Sequence, residues 1–130
     1  MIVAVSKKLT FIPAFNKNKE CPAADQIVVT IKNPTIQIKQ RVTSTPETVA
    51  RADMSGKIEG IDIRLKTDDI AVLREMLDGI SNCGYEDEDG KHSITNSKTL
   101  LEAPVEFSPL IDEIVAECNR ILTRVVDEKN

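Results

Sequence analysis

From Ser108 to Val126 the sequence SPLIDEIVAECNRILTRVV carries apolar residues at helical spacing over a longer run than anywhere else in the chain. Leu110, Ile111, Ile114, Val115, Cys118, Ile121, Leu122 and Val125 fall on one broad stripe, with Asp112, Glu113, Glu117, Asn119, Arg120 and Arg124 largely opposite. Ser108 reads as the N-cap and Pro109 suits the first helical position. Acids in the first turns and arginines near the last complement the helix dipole. A helix with one apolar stripe is not stable alone in water, so the rest of the chain, or another protein, has to cover it.

The 130 residues fit a single domain, 1–130, able to bury roughly two-thirds of its unfolded surface. Aromatic residues are only 3%, so Ile, Val and Leu must build the core. Val3 and Val5, then Leu9, Phe11 and Ile12, predict one or two short strands closed by Pro13. Asn16–Asp25 has no period and reads as a loop. Gln26–Lys32 is the strongest strand signal, with Ile27, Val29 and Ile31 toward the core.

After Asn33-Pro34-Thr35 two readings compete: a helix capped by Asn33 and running through Arg41, or a strand in which Ile36 and Ile38 alternate. The alternation favours the strand. Thr43 to Gly60, rich in Thr, Ser, Pro and Gly, reads as an exposed or flexible segment (43–60). Ile61, Ile63 and Leu65 mark a half-buried strand.

Thr67-Asp68-Asp69 caps a second helix over Asp69–Asn82, with Ile70, Leu73, Met76, Leu77 and Ile80 on the face that meets the C-terminal helix, and Gly84 ending it. Asp89-Gly90 is a preferred two-residue hairpin turn. It places Glu88 opposite Lys91, Asp87 opposite His92, Glu86 opposite Ser93 and Tyr85 opposite Ile94. Asn96 or Ser97 then caps a short helix holding Leu100 and Leu101. The predicted fold class is α+β: short antiparallel strands and a β-hairpin packed with two main amphipathic helices.

The chemistry points away from an enzyme. Glu86 to Gly90 resembles part of a calcium loop, but Tyr85 stands at its first ligand position and Asn96 at its last, where a bidentate Glu is needed. His92 is the only histidine, and beside Asp87 it lacks a nucleophile and a pocket. Glycines 56, 60, 79, 84 and 90 are scattered, so no phosphate-cradling loop forms. Cys21, Cys83 and Cys118 have neither zinc nor disulfide spacing and read as reduced thiols of a cytoplasmic protein. A net charge of −4 disfavours nonspecific binding to nucleic acid or acidic membranes. No run reaches the roughly 20 apolar residues of a membrane span. No cofactor and no metal are expected.

Four stretches carry a resemblance: SKKLTFIPAFNKN, QIVVTIKNPT, ITNSKTLLEA and LIDEIVAECNRIL. In that order they resemble small tail assembly chaperone proteins of tailed bacteriophages and prophages, whose layout is a β-rich start, a variable middle and closing helices. The resemblance implies a non-catalytic protein of the host cell cytoplasm that binds the tape measure protein and tail tube subunits during tail assembly. No functional motif of that family falls on particular positions here.

Two alternatives stay open: a structural phage component, such as a tail or head completion protein retained in the virion, and a cytoplasmic protein-interaction adaptor. All three readings use protein partners, and an oligomer is compatible with each. The expected binding surface is the flank of the two long helices that their mutual packing leaves exposed, where Val72, Phe107 and Val126 sit.

Overall fold

The computed structural model describes residues 1–52 and 58–124, with side chains within 1–43 and 68–124. Strands β1 (Lys8–Phe11) and β2 (Val28–Lys32) pair antiparallel, and β5 (Leu77–Ser81) pairs on the other side of β2 to complete a three-stranded sheet. On one face Leu9 lies opposite Ile31 and Phe11 opposite Val29, while Ile80 and Leu77 flank Val29 and Ile31 from the other side. Val29 and Ile31 are fully enclosed, as the strong strand signal over Gln26–Lys32 predicts for the central strand; Ile27 is half-buried just before it.

Against this sheet packs α2 (Asp69–Met76), and α4 (Ser108–Thr123) packs on α2 within the same core. Leu110, Ile114, Val115, Cys118, Ile121 and Leu122 of α4 are buried and Ile111 is half-buried, so the predicted stripe is the core face; Val125 lies outside the described residues. Phe107, rather than Ser108, occupies the cap position of α4, and no side chain caps it. A short helix, α3 (Ser97–Leu101), starts at Asn96 as predicted. The Asn96 side chain accepts from the Thr99 amide and Thr99 Oγ1 accepts from the Asn96 amide, a reciprocal cap.

The second helix is shorter than its periodicity predicts. Asp68 Oδ1 caps it by accepting from the Ile70 and Ala71 amides, but the helix ends at Met76 and the chain continues directly as β5. Leu73, Met76, Leu77 and Ile80 are all buried, which is why the helical template fits so well. A register shift beside Thr30 and Ile31 leaves Asp78 as an extra residue in β5, so Leu77 and Ile80, three apart, turn to the same side of a strand. A bulged strand imitates helical spacing. Ile70, expected on the core face, is 49% exposed.

A helix, α1 (Ile36–Val42), follows Thr35 where the alternation favours a strand. Thr35 Oγ1, not Asn33, caps it by accepting from the Ile38 amide. Ile38 and Val42, four apart, face inward, while Ile36 stays exposed, so the Ile36/Ile38 alternation is incidental. The backbone then runs into β3 (Thr43–Ala52), paired antiparallel with β4 (Ile58–Thr67), and the Asp68 amide donates to the Val42 carbonyl across the base. The predicted strand at Ile61, Ile63 and Leu65 is therefore present. Thr43–Ala52, predicted as an exposed or flexible segment, is paired strand; 53–57 of that segment lie outside the described residues.

The stretch Asn16–Asp25, read as a loop, holds two 3-10 turns, Phe15–Glu20 and Ala23–Asp25. Val3 and Val5 lie in no strand and are exposed. No described helix is long and apolar enough to cross a membrane.

The last two strands, β6 (Gly84–Asp87) and β7 (Gly90–Ser93), form the expected hairpin in a shifted register. Tyr85 pairs with His92, Glu86 with Lys91 and Asp87 with Gly90, so the central turn residues are Glu88 and Asp89. Neither has a positive φ, which the Asp-Gly turn would require; Gly90 follows the turn at φ 118°, and Asp87 Oδ1 accepts from the Asp89 amide to close it. Gly84 ends no helix. It opens β6, where an added Cβ would stand 2.5 Å from the His92 carbonyl oxygen.

These two glycines predict a ranking. Gly84→Ala collides with backbone and should cost about 1 to 3 kcal/mol. A Cβ added at Gly90 meets no atom within 4 Å, and Gly90→Val should also cost about 1 to 3 kcal/mol, through the positive φ. Urea unfolding of both variants beside Asp87→Asn, which is expected to stay within about 0.5 kcal/mol, checks it.

Candidate protein-binding groove

The chain has three phenylalanines and one tyrosine, and three of these four rings meet at one place. Phe15 comes from the turn after β1, Phe107 from the entry to α4 and Tyr85 from β6. Ring centroids are 5.4 Å apart for Phe15 and Phe107 and 5.9 Å for Tyr85 and Phe107, and His92 stacks on Tyr85 at 4.8 Å. Such tilted pairs contribute beyond their buried area and hold the rings in fixed positions. Beside them opens a groove of about 670 Å³, floored by Phe15, Ile27, Phe107 and Pro109.

Its walls are held by asparagines. Asn18, buried, donates from Nδ2 to the Pro13 and Ile27 carbonyls and accepts the Ile27 amide on Oδ1 at 2.6 Å. That pins the turn carrying Phe15 to the start of β2. Asn82 donates to the carbonyls of Ala24 and Gln26, each at 3.0 Å, and ties the β5–β6 connection to the Ala23–Asp25 turn. Asn16, Lys17 and Asn82 all have positive φ, a conformation that asparagine tolerates better than most other non-glycine residues, and Asn16 and Asn82 both line the groove. On the helix side, the Ala14 amide donates to Glu113 Oε2 at 2.7 Å.

The electrostatics are one-sided. Glu106 and Glu113 line the groove, and no lysine or arginine does. Cys83, also in its wall, is half-buried, and burial pushes its thiol pKa up, so it stays protonated and is a poor nucleophile. Burial likewise pushes the Cys118 thiol up to about 12. At the hairpin, His92 Nε2 lies 2.8 Å from Asp87 Oδ1, and this hydrogen bond holds the Asp87 carboxyl below the usual carboxylate range. Among the described residues no three His, Cys, Asp or Glu side chains are grouped to hold a metal ion.

Of the residues predicted to bind a partner, Phe107 lies in the groove. Val72 does not belong to any surface: it is completely buried on α2, because the helix turns that position into the core and presents Ile70 to solvent instead. Val126 lies outside the described residues. Phe15, Ile27 and Pro109 were not expected at a site, since they come from three separate segments and no local pattern joins them. The scarcity of aromatic residues was the available signal. Comparison of the chain with family models, curated proteins and solved structures gives no match.

Proposed function

We propose that this chain is a non-catalytic, tail assembly chaperone-like protein that holds the tape measure protein and tail tube subunits during assembly of a phage tail. The groove beside Phe15 and Phe107 is where it takes an apolar segment of its partner. The observation that supports this reading is the pair of phenylalanines, Phe15 and Phe107, that lines an open, acid-lined groove with Tyr85 packed behind Phe107. Aromatic side chains are common interface anchors, because they bury large area with few rotatable bonds. Glu106 and Glu113 favour a segment whose apolar residues are flanked by Lys or Arg.

Capture of tape measure protein and tail tube subunits by co-expression and pull-down tests the proposal. Phe107→Ala should weaken capture at least tenfold, about 1.4 kcal/mol or more. Glu106→Lys, on an exposed side chain, should weaken it while leaving the melting temperature unchanged. A wild-type protein that is folded yet captures neither partner overturns the reading.

A further inference from the structure

We propose that two copies of the chain pair edge to edge through β1, with residues 5–8 of each opposite the segment Ile12–Phe15 of the other and residues 1–4 running on beyond it. β1 is the outer strand of its sheet, and among the described residues no strand pairs with its free edge. Its inward residues Leu9 and Phe11 are only half-buried, whereas Val29 and Ile31 of the neighbouring central strand are enclosed. A further strand would complete that coverage.

The preceding segment supplies the rest of the surface. Met1, Ile2, Val3 and Val5 are all exposed. Its base is fixed: the Asn33 amide donates to the Lys7 carbonyl and Asn33 Nδ2 to the Ser6 carbonyl, both at 2.8 Å, while Arg124 Nη2 holds Asn33 Oδ1. Apolar residues thus leave the molecule from a fixed point beside an open edge.

Parity selects the register. Directly opposed residues of antiparallel strands face the same side, so a two-fold axis through Thr10 sets Leu9 opposite Phe11 of the second copy and keeps the apolar faces continuous. The same register puts Lys8 opposite Ile12, which is 41% exposed, and carries Ser6 and Val5 to Ala14 and Phe15. No lysine meets a lysine. That stretch borders a shallow depression of about 380 Å³ lined by Phe11, Ile12 and Pro13 and also by the charged Lys19, Glu117 and Arg120, beside which Val5 of the second copy would lie. Four strand residues per copy fall short of the roughly 800 Å² per partner of a stable interface, so residues 1–5 have to contribute.

Sedimentation equilibrium of the full chain tests this. The wild type should be a dimer. Thr10→Arg and Thr10→Glu, at an exposed position on the axis, should each be monomeric with an unchanged melting temperature, and an equimolar mixture of the two should recover the dimer mass. Val5→Asp should also be monomeric. A monomeric wild type overturns the proposal, as does a dimer that survives both Thr10 substitutions, or two monomeric variants that fail to recombine. The pull-down of a tail protein reads Glu106 and Phe107, which lie outside the β1 register, so the two readings fail separately.

Discussion

A Val72→Asp variant is expected not to fold. Val72 is fully enclosed between α2 and the rest of the core, beside Leu73 and Met76, which are also at 0% exposure. An unpaired carboxylate there loses its hydration with no partner to replace it, at a cost of several kcal/mol, against a total stability of about 5 to 15 kcal/mol for a domain. Ile70→Asp, on the same helix at 49% exposure, should instead change stability by less than about 0.5 kcal/mol. Circular dichroism melts of the two variants separate them, and a folded Val72→Asp protein would contradict the packing of α2.

The second large effect is at Asn18. Its side chain satisfies the Pro13 carbonyl and both the amide and the carbonyl of Ile27, and its position is 4% exposed. Truncation to Ala strands these groups at about 1 to 3 kcal/mol for each that water cannot reach, so a loss of about 3 kcal/mol or more is expected in urea unfolding. Because Asn18 fixes the turn that carries Phe15, partner capture should fall along with stability. Asn82→Ala removes two hydrogen bonds at an exposed position and should cost about 1 kcal/mol. Equal costs for the two asparagines would mean that Asn18 is not the central tie of this turn.

The α+β class, the central strand over Val28–Lys32, the cap at Asn96 and the stripe of α4 were legible because each is a local pattern with one physical solution. The failures have local causes too. Leu73, Met76, Leu77 and Ile80 satisfy a helix and, given a bulge at Asp78, equally a helix followed by a strand. Ile36 and Ile38 alternate like a strand, but the Thr35 cap and the inward pair Ile38 and Val42 make a helix. Asp89-Gly90 suggests one hairpin register, while the Asp87 side chain closing onto the Asp89 amide with Gly90 behind the turn gives another. The groove was illegible, apart from Phe107, because its parts lie about ninety positions apart and only the fold joins them.

The most direct test of the groove as the partner site is an amide chemical-shift titration of the isotope-labelled full chain with apolar segments of a tape measure protein. The account predicts saturable shifts centred on Phe15, Asn82, Cys83, Gly84 and Phe107, weakened by Phe107→Ala and by added salt. Binding that instead shifts the α1 surface around Ile36 and leaves these residues unmoved would contradict it, as would a folded chain that binds no tape measure segment and no tail tube subunit but is recovered in purified particles.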